Sequence, residues 1–318
     1  MPPSCEEKLN RLREEIADRR RLLIAYSGGV DSGLLLKVAC DVLERENVLA
    51  VTFDSEVVPR SELIFAREFA SYLNAQHKIV KFSWLERKRL VENSPNRCFF
   101  CKLALSRILK DIAAEHGFDV IADGATLSDV KRPGMRASSI WHPFVDVKIT
   151  KDEVREIARM LNMPFWDKPP MSCLATRVQY GMRISSDLLR KIEHAESFIR
   201  GKGFSQVRVR IHDMSHASGS TLNSSTVGRA DRNGSTKAAG ENTTALLARI
   251  EIDREDLCKF DMKIACEVCE ELKSLGFLFV TLDLEGYRSG SMDAPLDKLQ
   301  TPQQRIKQGR TASDARNG

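Results

Sequence analysis

The sequence predicts an α/β protein with a parallel, doubly wound sheet, followed by a smaller α+β domain. In the first half of the chain, short apolar segments alternate with helical segments of about ten residues or more, a pattern typical of parallel sheets covered on both faces. The pattern changes near Pro169-Pro170, and 318 residues are enough for two domains. We therefore expect one domain at residues 1–169 and a second at residues 170–292.

The elements of the first domain follow from the periodicity of apolar residues. The predicted strands are short apolar runs at residues 22–26, 48–54, 78–82 and 119–122. The predicted helices lie at residues 6–21, 32–45, 61–73, 103–116 and 152–161, the last after a capping Thr150. Strands that alternate with helices in this way are connected as in a parallel sheet.

The second domain is predicted to contain helices at residues 186–202 and 254–275 and strands at residues 206–212, 248–252 and 277–284. Residues 214–244, between its first two strands, are rich in Ser, Thr, Gly and Asn. Such a segment buries too little apolar surface to offset its ordering entropy. We expect a flexible insertion in a hairpin there and a disordered tail at residues 293–318.

Composition excludes several classes of protein. Hydrophobic residues make up 42% and charged residues 29%, and no apolar run approaches the ~20 residues of a membrane helix. The start of the chain lacks the apolar core of a secretory signal, so we expect a cytoplasmic protein without membrane association. Its eight cysteines are then thiols, metal ligands or catalytic groups. A net charge of +5 leaves room for an anionic ligand but argues against a dedicated nucleic-acid binder.

The most informative segment joins the first predicted strand to a helix and reads Ala25-Tyr26-Ser27-Gly28-Gly29-Val30-Asp31-Ser32-Gly33-Leu34. Two adjacent glycines allow a ligand to approach closely, and a helix N-terminus offers its N–H groups to an anion. Ser27 and Ser32 can donate to phosphate oxygens, and Asp31 can hold Mg²⁺. The alternative is a tight turn with a helix cap. The complete pattern at a strand-to-helix junction favours phosphate binding.

The motif SGGVDS at residues 27–32 resembles the signature of the PP-loop ATP pyrophosphatases, which cleave ATP between its α- and β-phosphates. It matches neither the Walker loop nor the dinucleotide-binding GxGxxG motif. The resemblance implies a sheet of the adenine nucleotide alpha hydrolase-like type, ATP and Mg²⁺ as cofactors, and a loop that holds pyrophosphate. It also implies that Asp54 and Gly124, at the carboxyl ends of predicted strands, border the nucleotide.

Five further segments narrow the resemblance. They are Asn96-Arg97-Cys98-Phe99-Phe100-Cys101-Lys102, Pro170-Met171-Ser172-Cys173-Leu174-Ala175-Thr176-Arg177, Val207-Arg208-Val209-Arg210, Arg249-Ile250-Glu251 and Gly286-Tyr287-Arg288-Ser289-Gly290. Together with SGGVDS they resemble the LarE family of ATP-dependent sulfur transferases over about residues 8–292. The resemblance implies that the substrate is a nicotinate-derived mononucleotide, pyridinium-3,5-biscarboxylic acid mononucleotide. Its carboxylate is adenylylated and then receives sulfur, on the route to the nickel-pincer nucleotide cofactor.

The resemblance leaves two sources of sulfur open. In one, a cysteine matching Cys173 attacks the acyl-adenylate and gives up its own sulfur, leaving dehydroalanine. In the other, cysteines matching Cys98, Cys101 and Cys173 hold a [4Fe-4S] cluster whose open iron carries the donated sulfide. Because this sequence has all three cysteines, we expect the cluster, with sulfide or a persulfide as the donor. A set of unrelated thiols is the alternative, since small buried cysteines are common.

Arginines in the second half are candidate ligands for the phosphate of the substrate. Arg208 and Arg210 lie on one face of a predicted strand, and the planar guanidinium group suits phosphate. The alternative is a solvent-exposed strand face. By the resemblance, Arg177, Glu251 and Arg288 belong to the same site.

A second CxxC, Cys266-Glu267-Val268-Cys269, falls within a predicted helix. The helix has an apolar stripe, and the nearby sequence offers no second pair of metal ligands. We therefore interpret these two residues as helix-packing cysteines.

Three other functions fit parts of the pattern. A PP-loop tRNA thiolase also uses cysteines, but no added RNA-binding module is recognised. A nitrogen-transferring synthetase would not need the three cysteines. A non-catalytic nucleotide-binding module would need neither Asp31 nor Cys173. The resemblance to sulfur transferases also implies a homo-oligomer.

Overall fold

The computed structural model describes residues 3–129, 140–215 and 245–292. Their contacts divide into two compact units. The first unit contains residues up to Thr176 together with Arg183–Leu189, and the second contains Arg177–Met182 and the residues from Arg190 onward. Almost all of the predicted insertion at residues 214–244 and the entire predicted tail at residues 293–318 lie outside the described residues. Both stay predictions, as does the domain boundary at residue 170.

The first unit is built on four strands, β1 (Leu22–Ala25), β2 (Val48–Asp54), β3 (Gln76–Lys81) and β4 (Val120–Asp123). They form a parallel sheet in the order β3-β2-β1-β4, in which Leu22 aligns with Val48 on one side and Val120 on the other. The central strand β1 is apolar on both faces, as expected when helices cover both sides of a sheet. The predicted α/β class is confirmed.

Helices cover both faces of this sheet. They are α1 (Cys5–Arg19), α2 (Val30–Val42), α3 (Arg60–Tyr72), α4 (Lys88–Val91), α5 (Arg97–His116), α6 (Pro143–Asp146) and α7 (Lys151–Met160). Leu22 and Ile24 pack in one core with residues of α1, α2, α3 and α7, whereas Leu23 packs in a second core with residues of α5. Because neighbouring strand residues point to opposite faces, the two cores lie on opposite sides of the sheet.

The chain continues with α8 (Ser186–Gly201), β5 (Val207–Asp213), β6 (Leu246–Ile252), α9 (Met262–Ser274) and β7 (Phe279–Leu282). The three strands form one sheet in the order β5-β6-β7, in which β5 and β6 are antiparallel and β6 and β7 are parallel. This small mixed sheet confirms the α+β part of the predicted fold class. None of the helices within the described residues combines the length and the apolar character needed to cross a membrane.

Two predicted helices are wrong in their extent. The helix predicted at residues 103–116 begins at Arg97, so it includes Cys98 and Cys101. Instead of a single helix at residues 254–275, Arg254–Lys259 forms a 3₁₀ helix and α9 begins at Met262. Asp261 separates the two because its backbone is extended and its side chain accepts a hydrogen bond from the Ile264 N–H. Asp261 is therefore the N-cap of a new helix.

Gly124, immediately after β4, lies directly against the first turn of α2. A Cβ atom at this position would be 2.6 Å from the backbone nitrogen of Ser32 and 2.8 Å from the carbonyl carbon of Asp31. Both neighbours are backbone atoms, so neither can rotate away as a side chain could. Only glycine allows the end of β4 to support the beginning of α2 in this way.

We predict that Gly124→Ala lowers the free energy of unfolding by about 1–3 kcal/mol, the usual effect of forcing atoms into a packed position. Thermal unfolding of the purified protein measures the change. Gly201→Ala is the matched control, because a Cβ atom there meets no described atom within 4 Å outside its own helical turns. Equal effects of the two substitutions would contradict the close packing at Gly124.

Candidate active site

The loop between β1 and α2 folds tightly over its two glycines. Gly28 has a φ angle of +80°, in the left-handed region that favours glycine. A Cβ atom there would be 3.1 Å from both the Ala66 side chain and the Glu62 carbonyl oxygen of α3. Gly29 precedes α2 with an extended backbone and without a described side chain that caps the helix. A helix that begins in this way presents its first N–H groups to an anion.

The hydroxyl groups of Ser27 and Ser32 hold this loop together. The Ser32 hydroxyl accepts a hydrogen bond from the Ser27 N–H at 3.2 Å and lies 3.0 Å from the Ser27 hydroxyl. It also donates to the Gly29 carbonyl oxygen at 3.3 Å. Ser32 is buried, whereas Ser27 is exposed and Asp31 is half-buried. The predicted loop residues therefore lie together, and Ser27 and Asp31 are within reach of a ligand from solvent.

Asp54 ends β2, the strand next to β1. Its carboxylate accepts a hydrogen bond from Arg60 at 2.6 Å. Glu56, two residues further along, accepts hydrogen bonds from the Ser83 hydroxyl and the Trp84 N–H. Burial alone would raise the pKa of Glu56, but these hydrogen bonds outweigh it and lower that pKa. Carboxylates thus fix the loop that follows β2.

Asp123 and His142 form a contact that sequence analysis missed. His142 Nδ1 lies 2.7 Å from Asp123 Oδ1, which also accepts a hydrogen bond from the Ala125 N–H. Asp123 is the last residue of β4 and precedes Gly124, so this contact lies beside the first turn of α2. A pairing between residues on separate elements leaves no periodic signal in the sequence.

The first unit also contains the three cysteines predicted to be cluster ligands. Cys98 and Cys101 lie in the first two turns of α5. Cys173 precedes a short 3₁₀ helix, and the Leu174 N–H donates to the Val57 carbonyl oxygen at 2.8 Å. This bond attaches the Cys173 segment to the loop after β2. Cys98 is exposed, whereas Cys101 and Cys173 are half-buried.

Cys101 lies near both of the other thiols. Burial is the main cause that raises the pKa of Cys101 to about 12, and the neighbouring Cys173 and Cys98 thiols act in the same direction. A hydrogen bond from the Trp84 side chain and the charge of Arg87 oppose that shift. Cys101 is therefore close enough to Cys98, Cys173 and Arg87 for each of them to influence its pKa. Within the described residues, no three His, Cys, Asp or Glu side chains stand close enough together to hold a metal ion.

In the second unit, Glu196 is the centre of a buried group of charges. Its carboxylate accepts hydrogen bonds from Arg177 at 2.8 and 3.1 Å, from Arg200 at 2.7 Å and from the Val209 N–H at 3.1 Å. Arg177 and Glu196 are both fully buried. Burial opposes ionisation, yet the surrounding cations, Arg177 first, lower the pKa of Glu196. Glu196 is therefore a carboxylate at neutral pH.

Arg208 and Arg210 are buried as well, with exposed fractions of 1% and 5%. Arg208 donates to the Val207 carbonyl oxygen, and its guanidinium carbon lies 5.2 Å from the centre of the Tyr287 ring. Burial, and next the charge of Arg177, lowers the pKa of Arg208 to about 10. These positions show that the alternative of a solvent-exposed strand face is wrong.

Glu251 binds Arg210 across the paired strands β5 and β6. Nε and Nη2 of Arg210 each lie 3.0 Å from a Glu251 oxygen. The Ser291 hydroxyl donates to the other Glu251 oxygen at 2.6 Å, and Arg249 lies 3.2 Å from that oxygen. Glu251 is fully buried. Each of its carboxylate oxygens is held by a hydrogen bond or an ion pair, as a buried charge requires.

Arg288 lies at the exposed edge of this second unit. Its side chain is 44% exposed and pairs with Glu285 at 2.6 Å and with Asp283 at 3.7 Å. Asp283 also pairs with Arg249, which connects Arg288 to the group around Glu251. Four of the five residues predicted for the phosphate site are therefore buried. Arg288 is connected to them through other charges.

Sequence analysis missed Glu196, although a signal was present. Ile192 and Ile199 lie on the buried face of α8, and Glu196 falls on the same face at helical spacing. An acidic residue among buried apolar positions requires a cationic partner. The partner could not be identified without the fold.

The interpretation of the second CxxC is wrong for one of its cysteines. Cys266 is exposed and Cys269 is half-buried. The buried residues of α9 are Val268 and Leu272, which belong to the apolar stripe of the predicted helix. Cys266 lies outside that buried face.

Comparison with known proteins identifies the family. No protein-family model matches the chain. An uncharacterized protein from Synechocystis sp. is 35% identical over 299 residues, which span 92% of this chain and 99% of the relative. Pyridinium-3,5-bisthiocarboxylic acid mononucleotide synthase from Lactiplantibacillus plantarum is 31% identical over 290 residues, 90% of this chain and 93% of that enzyme. One component of the glutamine-hydrolyzing GMP synthase from Methanococcus maripaludis is 28% identical over 180 residues, 51% of this chain and 56% of the relative.

The match to the GMP synthase component covers only half of the chain and does not by itself assign the chain to a family. The first two relatives are aligned over nearly their full lengths, so the similarity includes both units. The chain therefore belongs to the LarE family, the family of the pyridinium-3,5-bisthiocarboxylic acid mononucleotide synthase of L. plantarum.

Proposed function

We propose that this protein is an ATP-dependent sulfur transferase. It would adenylylate a carboxylate of pyridinium-3,5-biscarboxylic acid mononucleotide and convert that carboxylate to a thiocarboxylate. A relative that is 31% identical is named as the synthase of the corresponding bisthiocarboxylic acid mononucleotide. The observation that carries the proposal is that one unit holds both a tight glycine loop before α2 and three neighbouring cysteines. The loop suits the phosphates of ATP, and the thiols suit sulfur chemistry.

The proposed reaction has two steps. In the first, a carboxylate oxygen of the substrate attacks the α-phosphorus of ATP, the bond from that phosphorus to its bridging oxygen breaks, and pyrophosphate leaves with the electron pair. The N–H groups at the start of α2, with the hydroxyl groups of Ser27 and Ser32, would stabilise the charge that develops on pyrophosphate. In the second, sulfur attacks the activated carbonyl carbon and AMP leaves.

Asp31 is the proposed ligand of Mg²⁺. Its carboxylate lies in the first turn of α2, beside the phosphate loop, and carboxylate oxygens are ligands that Mg²⁺ prefers. Mg²⁺ bound there would neutralise charge on the phosphates of ATP. Gly124 is proposed to border the nucleotide because its backbone lies against the same turn. Asp54 would do so from the end of the neighbouring strand β2.

The three cysteines fit a [4Fe-4S] cluster in their chemistry. Cys98, Cys101 and Cys173 would hold three of its irons and leave the fourth without a protein ligand, and the cluster would supply sulfide for the transfer. Cys101 supports the fit, because its sulfur lies near both Cys98 and Cys173 and accepts a hydrogen bond from Trp84. The three sulfurs would have to approach one another more closely than they stand. The alternative is that Cys173 donates its own sulfur and becomes dehydroalanine.

The buried arginines of the second unit are the proposed ligands of the substrate's phosphate. The buried charges of this group are Arg177, Arg208, Arg210, Glu196 and Glu251. Arg208 lies close enough to Arg177 and Arg210 for their charges to lower its pKa. A phosphate bound through charged hydrogen bonds would offset this repulsion. Arg288 would contribute from the edge of the same group.

We predict that Asp31→Asn lowers the rate of substrate-dependent pyrophosphate release by roughly 10²- to 10³-fold, because it removes a charge contact to the departing group. Asp41→Asn is the matched control, since Asp41 lies in the same helix and pairs with Lys37 at the surface. A near-normal rate for Asp31→Asn would remove Asp31 from the mechanism.

We predict that protein purified without oxygen is brown and contains about four irons per chain. Cys98→Ala, Cys101→Ala and Cys173→Ala should each lose the colour and stop sulfur transfer, because the loss of one thiolate exposes a second iron. Pyrophosphate release should continue in all three variants, since the phosphate loop is intact. Iron analysis, visible absorption and thiocarboxylate formation are the measurements.

Cys258→Ala is the control for the cysteine series, because Cys258 is an exposed cysteine in the second unit. Mass spectrometry of the protein after turnover separates the two sources of sulfur. Dehydroalanine at position 173, with Cys98→Ala and Cys101→Ala still active, would exclude the cluster and establish the sacrificial cysteine.

We predict that Arg208→Lys weakens binding of the mononucleotide by at least about tenfold, because it keeps the positive charge but loses the planar pair of donors. ATP binding should be unchanged, and titration of both ligands measures the two affinities. Arg254→Lys, an exposed arginine in the second unit, is the control. Unchanged mononucleotide affinity in Arg208→Lys would indicate that the buried arginines serve only to stabilise the fold.

A further inference from the structure

We propose that Lys168 is a positioning residue for the phosphate loop. Its ammonium group fixes the peptide bond between Gly28 and Gly29, so that the Gly29 N–H is directed toward the bound phosphate. This inference rests on the proposed function, because it concerns the loop that would bind ATP. Lys168 is 140 residues from Gly28 in the sequence and is not among the predicted site residues.

The ammonium group of Lys168 has three partners, all in the first unit. Lys168 Nζ donates to the Gly28 carbonyl oxygen at 3.2 Å and to Glu62 Oε2 at 2.9 Å. It also lies 3.8 Å from the centre of the Phe65 ring. Glu62 is buried, and the Lys168 side chain is 18% exposed. The charge is therefore largely shielded from water and directed at the loop.

The backbone of Lys168 is held independently of its side chain. Arg155 donates to the carbonyl oxygens of Trp166 and Lys168 at 3.2 and 2.9 Å. The Phe165 ring packs edge-on against Phe69, with ring centres 4.6 Å apart. A substitution at Lys168 should therefore remove the ammonium group without releasing this segment of the chain.

The geometry of the peptide bond gives the ammonium group its effect. In a planar trans peptide, the carbonyl oxygen and the following N–H point in opposite directions. When Lys168 holds the Gly28 carbonyl oxygen, the Gly29 N–H must point to the other side of the loop, where it lies 3.4 Å from the Ser27 hydroxyl. Ser27 is exposed, so this is the side that a phosphate can reach.

The two glycines cannot maintain this orientation by themselves. Glycine adopts positive and negative φ angles about equally well, so a peptide between two glycines rotates more easily than any other. The contact of Gly29 N–H with Ser27 is long for a hydrogen bond. A charged donor on the opposite side constrains the orientation of this peptide more strongly than that contact does.

A simpler role for Lys168 would be to neutralise the buried carboxylate of Glu62. The two roles differ in one respect. If Lys168 only balances Glu62, removing both charges together restores a normal loop. If Lys168 orients the Gly28 carbonyl group, removing both charges leaves the loop impaired.

The experiment is titration calorimetry of the full-length protein with inorganic pyrophosphate and Mg²⁺, accompanied by thermal unfolding. The variants are Lys168→Met, Lys168→Arg, Glu62→Gln and the double variant Lys168→Met with Glu62→Gln. Lys110→Met, an exposed lysine of α5, is the control. Should Lys168→Met fail to fold because Glu62 is left uncompensated, the double variant has no such charge and carries the test.

We expect pyrophosphate to bind about 10- to 100-fold more weakly to Lys168→Met and equally weakly to the double variant, the usual effect of losing a charged hydrogen bond. Lys168→Arg should keep most of the affinity because it keeps a charged donor, and Glu62→Gln should bind normally. Normal binding by the double variant would overturn the positioning role and leave the proposed function intact. If the unaltered protein bound neither pyrophosphate nor ATP, the proposed function would fail and this inference with it.

Discussion

The candidate active site depends on two places where backbone packs against backbone with no space for a side chain. A Cβ atom on Gly124 would lie 2.6 Å from the Ser32 nitrogen, and one on Gly28 would lie 3.1 Å from the Glu62 carbonyl oxygen. The strand order explains both contacts, because β4 and β2 flank β1 and their following segments converge on the loop that leaves β1. The loop is therefore fixed from both sides before any ligand arrives. Groups fixed in advance stabilise developing charge better than groups that must first reorganise.

A single segment joins this loop to Cys173. At one end Lys168 donates to the Gly28 carbonyl oxygen, and at the other the Leu174 N–H donates to the Val57 carbonyl oxygen. Cys173 lies between these two attachments, and Pro169-Pro170 restrict the backbone that connects them. The segment that would deliver sulfur is thus attached to the segment that would bind ATP. In our proposal, this connection keeps adenylylation and sulfur delivery within one unit.

The strands and the phosphate loop could be predicted because their signals are local. Apolar runs revealed the strands, and adjacent glycines before a helix revealed the loop. The contacts of Lys168 and Glu196 could not be predicted, because each joins an ordinary charged residue to partners on other elements. The break in the predicted helix at residues 254–275 could have been predicted from the sequence, because Asp is a favoured N-cap residue and Asp261 caps α9. It was missed because the apolar spacing on either side of Asp261 continues with the same period.

The central claim is that a substrate carboxylate attacks the α-phosphorus of ATP held by this loop. The most direct measurement follows heavy oxygen from a labelled carboxylate of pyridinium-3,5-biscarboxylic acid mononucleotide into the products. Adenylylation predicts one labelled oxygen in AMP for each sulfur installed, with unlabelled pyrophosphate. Labelled orthophosphate together with ADP would show attack on the terminal phosphate instead and would contradict the proposal.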